Sequence, residues 1–189
     1  MSVSRKFKGK IGCGKILEQN PHMKIAFIIL SLFIVGCLLL LFLLGLISRS
    51  GKAPGLVAGH LARCPAKPNC VCSEQRDDGG HYVSPILVAQ DIGQTLVPIL
   101  KSIVWEMGGT IRAEKEYYFA ATFSSAIFGF VDDFEVRIDL PLKMIHIRSA
   151  SRVGYGDAGV NRKRAELFKK IYEQKRLEAS PSFQARKRD

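Results

Sequence analysis

The residues best equipped for chemistry lie in one run, RSASRVGYGDAGVNRKR, from Arg148 to Arg164. The run reads as the end of a strand, a glycine-bearing loop and the start of a helix. Backbone N–H groups at a helix start, with arginines and hydroxyls beside them, suit an anionic group such as a phosphate, a carboxylate or a lipid headgroup. The candidate binding residues are therefore Arg148, Ser149, Ser151, Arg152, Gly154, Asp157, Asn161 and Arg164. A plain folded loop would use the same residues differently. Asp157 would cap the helix or pair with Arg152, Gly154 and Gly156 would permit the turn, and Asn161 would bond to backbone. Gly154, Gly156 and Gly159 match the G-x-G-x-x-G spacing. No βαβ unit follows them, and the nucleotide-loop Gly-Lys-Ser/Thr ending is absent, so a nucleotide site is not indicated.

The acidic cluster is Asp132, Asp133 and Glu135. Asp133 and Glu135 belong on one strand face, near Arg137 and Arg148. Cross-strand charge pairing accounts for them. Catalytic use would need carboxylate pKa values pushed apart by burial or proximity. A hydrolase would draw on Asp132, Asp133, Glu135 or Asp157, with His81 as base. Gly-x-Ser-x-Gly does not occur, and no serine stands in a recognisable nucleophile pattern.

Cysteine usage divides by position. Cys13 lies in a basic segment and Cys37 within an apolar run, while Cys64, Cys70 and Cys72 cluster in CPAKPNCVC. In an oxidising compartment the simplest arrangement is one disulfide, Cys64 to Cys70, with Pro65 and Pro68 stiffening the loop and Cys72 left over. A metal held by four of His60, Cys64, Cys70, Cys72 and His81 is the alternative. Its C-x5-C-x-C spacing departs from the C-x2-C pairs of zinc sites. Free thiols are the third possibility. No motif calls for a metal or a cofactor.

The elements that must carry these residues follow from pattern. Ile25–Ile47 is a run of 23 residues without a charge, bounded by Lys24 and Arg49. As a helix it would be roughly 34 Å long, enough for a hydrocarbon core of about 30 Å. It exceeds the apolar core of a cleaved signal peptide, and no clean small-x-small site follows it. The expected organisation is a basic segment (1–24), a transmembrane helix (25–47), a linker (48–59), a domain (60–177) and a basic disordered tail (178–189). Within the domain, a helix is expected from near Ile92 to Met107, with Asp91 as cap, Pro98 as an awkward member, and Ile99 on its buried face. Strands are expected over 110–114, 117–124, around Phe134–Ile138 and over 144–149, with a shorter one within 81–88. A closing helix should run from Gly159 to Leu177 with Val160, Leu167, Phe168, Ile171 and Tyr172 as its apolar stripe. The fold class is thus α+β: one N-terminal transmembrane helix, then a two-layer domain with an antiparallel sheet, one face packed and one more polar, and two main helices.

The formal net charge is +11, from 28 Lys plus Arg against 17 Asp plus Glu. Arg5, Lys6, Lys8, Lys10, Lys15 and Lys24 precede the apolar run with one acid, Glu18. Basic residues there hold that end in the cytoplasm and meet anionic headgroups, so the charge needs no nucleic-acid partner. Arg49, Lys52, Arg63 and Lys67 weaken the asymmetry from the other side, and the expected topology is still an N-terminus in the cytoplasm and a soluble domain on the extracytoplasmic side, periplasmic or luminal.

Four stretches together resemble the DUF1499 family: CPAKPNCV at Cys64–Val71, HYVSPI at His81–Ile86, VDDFE at Val131–Glu135, and the run Arg148–Arg164. The resemblance covers residues 60 to 172. Its members are commonly small bacterial or plastid proteins, sometimes with a membrane segment or a signal. The family typically has serine where this chain has Cys72. That departure argues against a family-wide metal site through Cys72 and leaves Cys64 and Cys70 as the family pair. The resemblance implies a shared surface of Asn69, His81, Asp132, Asp133, Ser149, Ser151, Arg152, Asp157, Asn161 and Arg164, and it brings no activity with it.

The function these readings favour is a membrane-anchored binding or accessory domain for an anionic small molecule, a lipid headgroup or a membrane protein partner. A carboxylate-based hydrolase and a structural subunit of a membrane complex are the alternatives. His81 within hydrogen-bond reach of a carboxylate across a cleft would favour the first of these, and His81 packed near the cysteine loop with its nitrogens satisfied would count against it. An exposed apolar patch, or helix contacts at Gly36 and Gly45, would favour the second.

Overall fold

The computed structural model describes residues 21–88 and 96–178. The expected cap Asp91, the helix start at Ile92, Cys13, most of the basic segment and the tail beyond residue 178 lie outside the described residues. Chain contacts define two compact units, Met1–Leu41 and Phe42–Asp189.

The first helix, α1, spans Pro21–Ser50. Every residue from Lys24 to Leu41 is exposed. Among the described residues nothing covers this apolar surface, as suits a helix solvated by acyl chains. A single N-terminal helix of this length and composition is consistent with membrane association. Towards its C-terminus, within the second unit, α1 changes character, and Gly45 and Ser48 are buried.

The second unit is built on an antiparallel sheet. Its strands are β3 (Cys70–Cys72), β4 (Ile86–Leu87), β5 (Thr110–Lys115), β6 (Tyr118–Ser124), β7 (Val131–Asp139) and β8 (Met144–Ser151). Their order is β3-β8-β7-β6-β5, and β4 pairs with the other end of β8. A small hairpin of β1 (Leu56–Val57) and β2 (His60–Leu61) precedes them. Helices α2 (Leu96–Glu106) and α3 (Val160–Glu178) complete the α+β fold.

Alternation along the strands sends Phe119, Ala121, Phe134, Val136, Ile145 and Ile147 to the helix side, where they meet Leu100, Ile103, Val104, Ala165, Phe168 and Tyr172. Phe134 is the hub, with ring centroids 5.8 Å from Phe123 and 5.1 Å from Phe168. Pro98 falls in the first described turn of α2, the part of a helix that tolerates proline.

Four details correct the pattern-based expectations. Tyr117 belongs to the two-residue turn between β5 and β6, with φ 58°, because Lys115 pairs with Tyr118 across that turn. Val160 and Leu167 are exposed, at 43% and 46%. The buried stripe of α3 is Asn161, Ala165, Phe168 and Tyr172, rotated because the Asn161 amide is bonded into the interior. Ile99 is exposed, and α2 buries Val104 in its place. The polar sheet face is also covered: Leu61, Cys72, Tyr118 and Ala120 form a second cluster, packed by Ala53, Leu56 and Cys64.

Candidate functional site

The two parities of β7 and β8 send their polar residues to opposite faces. On the helix side, Asp132 accepts from Arg164 Nη2 at 2.9 Å. Arg164 Nη1 donates to Asn161 Oδ1 at 2.7 Å, and Ser149 Oγ donates to the same oxygen at 2.6 Å. Asn161 Nδ2 in turn donates to the Asn69 carbonyl (3.0 Å) and to Ser151 Oγ (2.9 Å). Asn69 Nδ2 reaches the Gly154 carbonyl at 3.0 Å. The Arg164 guanidinium also lies over the Phe123 ring, 4.6 Å from its centroid. At the start of α3, Asp157 accepts from Asn161 N (2.7 Å) and Gly159 N (3.0 Å). A side-chain carboxylate of the chain itself thus occupies the helix N-terminus as cap.

On the other face, Glu135 is fully buried and accepts from Tyr118 Oη at 2.8 Å, Gly55 N at 3.0 Å and Arg148 Nη1 at 2.7 Å. Burial, and next the charge of Glu135, push the Tyr118 phenol pKa far up, so it remains a donor. Asp133 receives Arg152 Nε at 3.0 Å and Nη2 at 2.6 Å. The remaining nitrogen of that fork, Nη1, donates to the carbonyls of Ser48 (3.1 Å) and Arg49 (3.4 Å) at the end of α1. These carbonyls have no intrahelical donor, so the arginine acts as a C-cap delivered from β8 and its following loop.

The bonded partner of His81 is Asp78 rather than one of the acids singled out from sequence. His81 Nδ1 lies 2.7 Å from Asp78 Oδ2, and Nε2 lies 3.1 Å from the Lys67 carbonyl. Both neighbours only accept, an arrangement that satisfies both ring nitrogens when the ring is protonated. Hydrogen bonding to Asp78 raises the His81 pKa, and the same bond holds Asp78 below its usual range. In that form the ring is tied at both nitrogens, clamps the cysteine loop and has no lone pair to serve as a base. Within that loop Cys64 and Cys70 are joined, with sulfurs 2.00 Å apart. Cys72 is a buried free thiol whose pKa burial pushes up.

One constellation was not legible in the sequence. Ser73 Oγ lies 3.2 Å from His146 Nδ1, and His146 Nε2 lies 3.9 Å from Glu74. It resembles a nucleophile chain, yet Ser73 is fully buried and its oxygen accepts Ile147 N at 2.9 Å. Glu74 also receives Arg137 and the Leu61 amide. Burial lowers the His146 pKa. The group ties β3 to β8 and offers no oxygen to a substrate.

An open cleft of about 760 Å³ remains beside the end of α1. Its basic lining is Arg49, Lys52, Arg112, Lys115 and Arg152, against one acid, Asp133, which Arg152 already binds. Small and apolar side chains (Ala53, Ala113, Ala120, Ala121 and Val131), together with Tyr118, form much of the rest. A register shift in β5 between Ile111 and Ala113 places Arg112 at an irregular point, where it donates from Nε to Thr122 Oγ1 at 3.0 Å. Of the binding residues expected from sequence, only Arg152 lines this cleft. Arg148, Ser149, Ser151, Asn161 and Arg164 instead hold its walls and the α3 junction through internal bonds. Arg49, Lys52, Arg112 and Lys115 carry no motif, and only Arg49 and Lys52 could have drawn attention, through their place just after the apolar run.

No curated protein and no solved structure matches the chain. Residues 60–171 match the family described as protein of unknown function DUF1499, and they hold the whole six-stranded sheet, α2 and the first two thirds of α3. The chain therefore belongs to the DUF1499 family.

Proposed function

We propose that this protein is a single-pass membrane-anchored binding domain whose cleft takes an anionic headgroup, a phosphate or carboxylate attached to an apolar body. The carrying observation is the cleft lining: four basic side chains besides the mutually paired Arg152 and Asp133, beginning at Arg49, two residues after Ile47. Arginine and lysine at that height meet the headgroup layer, and the small apolar residues beside them suit a glycerol backbone or the start of an acyl chain. Arg152, whose nitrogens are taken by Asp133 and the Ser48 and Arg49 carbonyls, would hold the cleft wall in place and leave the ligand contacts to the other four basic side chains.

The same reading puts the domain on the extracytoplasmic side. The Cys64–Cys70 bridge supports it, because oxidising compartments preserve such bonds. The six basic residues before the apolar run support it through their cytoplasmic preference.

The test uses the full-length protein in nanodiscs of phosphatidylcholine, with and without phosphatidylglycerol, and native mass spectrometry of the lipids retained on release. Phosphatidylglycerol should be retained over phosphatidylcholine. K52A/R112A/K115A should weaken that preference about 100-fold, at about 1 kcal/mol for each basic side chain. A parallel titration of inorganic phosphate in neutral nanodiscs separates a free anion from a lipid headgroup. Equal retention of both lipids, with no phosphate binding, would refute the reading.

A further inference from the structure

We propose that the tip of the β6–β7 hairpin, Ser125–Phe130, is a second membrane contact that enters the headgroup–acyl boundary beside the end of α1. This rests on the apolar run lying in a bilayer and does not depend on what the cleft binds.

The first observation is chemical. No charged residue occurs between Glu116 and Asp132, and the tip reads Ser-Ala-Ile-Phe-Gly-Phe. Ile127 is 82% exposed, and Ala126 beside it is exposed too. A large aliphatic side chain held out at a turn has an unfavourable contact with water and a favourable one with lipid.

The second observation is that the base of the tip is already paired. Ser125 N donates to the Phe130 carbonyl at 2.8 Å, Gly129 N to the Ser125 carbonyl at 3.2 Å, and Phe130 N to Ser125 Oγ at 2.9 Å. The Phe128 and Phe130 rings pack edge to face, with centroids 6.0 Å apart. Entering an apolar layer is costly for a turn with bare amides, and these bonds reduce that cost.

The third observation sets the depth. A Cβ at Gly45 would run into the Phe128 carbonyl, so hairpin and helix touch there. Gly45 lies inside the uncharged run, two residues before its end at Ile47. Ser48 Oγ accepts Val131 N at 3.0 Å one turn further on, and the Arg49 guanidinium packs on Gly129, where φ is +66° and a Cβ would collide with it. The tip is therefore level with the last apolar turn, and a basic side chain sits at its base. This is the profile of an interfacial anchor: apolar residues in the boundary and cations at the headgroups.

The test places an indole at the tip. The chain has one tryptophan, so W105F/I127W in the full-length protein carries a single reporter. It is reconstituted in phosphatidylcholine–phosphatidylglycerol vesicles containing lipids brominated at shallow or deep acyl positions. Shallow bromines should quench the emission severalfold more than deep ones, and aqueous iodide should quench it severalfold less than it quenches free tryptophan. Full iodide quenching with no effect of brominated lipid would overturn the proposal. Should I127W fail to fold, Ala126→Trp in the same background gives the same readout. Resistance to carbonate extraction is measured on the same samples. Protein that stays with the vesicles while its indole remains in water refutes the tip and leaves the helix anchor standing. Protein that washes off refutes the anchor and the tip together.

Discussion

Arg152 clasps Asp133 with two nitrogens, at 3.0 and 2.6 Å, and caps the last carbonyls of α1 with the third. One side chain thereby joins the sheet to the end of the apolar helix. Removing it strands a carboxylate that is only 6% exposed. Arg152→Ala should destabilise the second unit by about 3–5 kcal/mol. Arg152→Lys should fall between, since one ammonium cannot serve a carboxylate and two carbonyls in that geometry. Thermal unfolding of the detergent-solubilised chain measures this, and trypsin should cut faster after Lys52 in the alanine variant. Unchanged melting and cutting would mean that the junction is held by other contacts.

The Glu135–Arg148 pair gives a second prediction. Each is buried, and Glu135 has three donors. Glu135→Leu should cost about 3–5 kcal/mol because the guanidinium loses its counterion in a dry place. E135L/R148M should recover much of that loss, since no buried charge is left over. A double variant as unstable as the sum of the singles would show that the two charges act separately.

The His81–Asp78 contact predicts a pH window. A raised histidine pKa in the folded state contributes stability that is complete below the unfolded value and is lost as pH rises through the folded one. The lowered Asp78 pKa contributes stability that is present above the unfolded carboxylate value and is lost as pH falls through the folded one. The cysteine loop should therefore be most firmly held between those two limits. An NMR titration of the His81 ring should give a midpoint above about 6.5, and Asp78→Asn should lower it. A midpoint at or below that value in the parent protein would rule out the imidazolium.

Thiol accessibility supplies the fourth prediction. A membrane-impermeant maleimide should label no cysteine of the 60–171 region in the oxidised protein. After mild reduction it should label Cys64, which is half-buried, readily. Cys72 should react only on unfolding, since burial keeps it out of reach and protonated. Opening a loop whose ends are 6 residues apart should cost about 2 kcal/mol. Rapid labelling of Cys72 in the folded, oxidised protein would contradict the packing described here.

The sequence by itself determined what depends on neighbours along the chain. An unbroken apolar run defines α1 by length alone, and alternation placed Asp133 and Glu135 on one face of β7 and Phe134 on the other. The bridge between Cys64 and Cys70 is equally local. The tertiary structure decided what each charge faces, because those distances are set by contacts far apart in sequence. Arg152 meets Ser48 across 104 residues, and Gly55 meets Glu135 across 80. The run from Arg148 to Arg164 reads as a ready anion cradle, but folding brings Glu135, Asp133, Asp132 and Asp157 to its arginines and its helix start. Lys52, Arg112 and Lys115 read as scattered solvated charges until β5 and the end of α1 are set side by side around one cleft. Local pattern fixes which face a residue takes, whereas charge complementarity is satisfied only after the chain has folded.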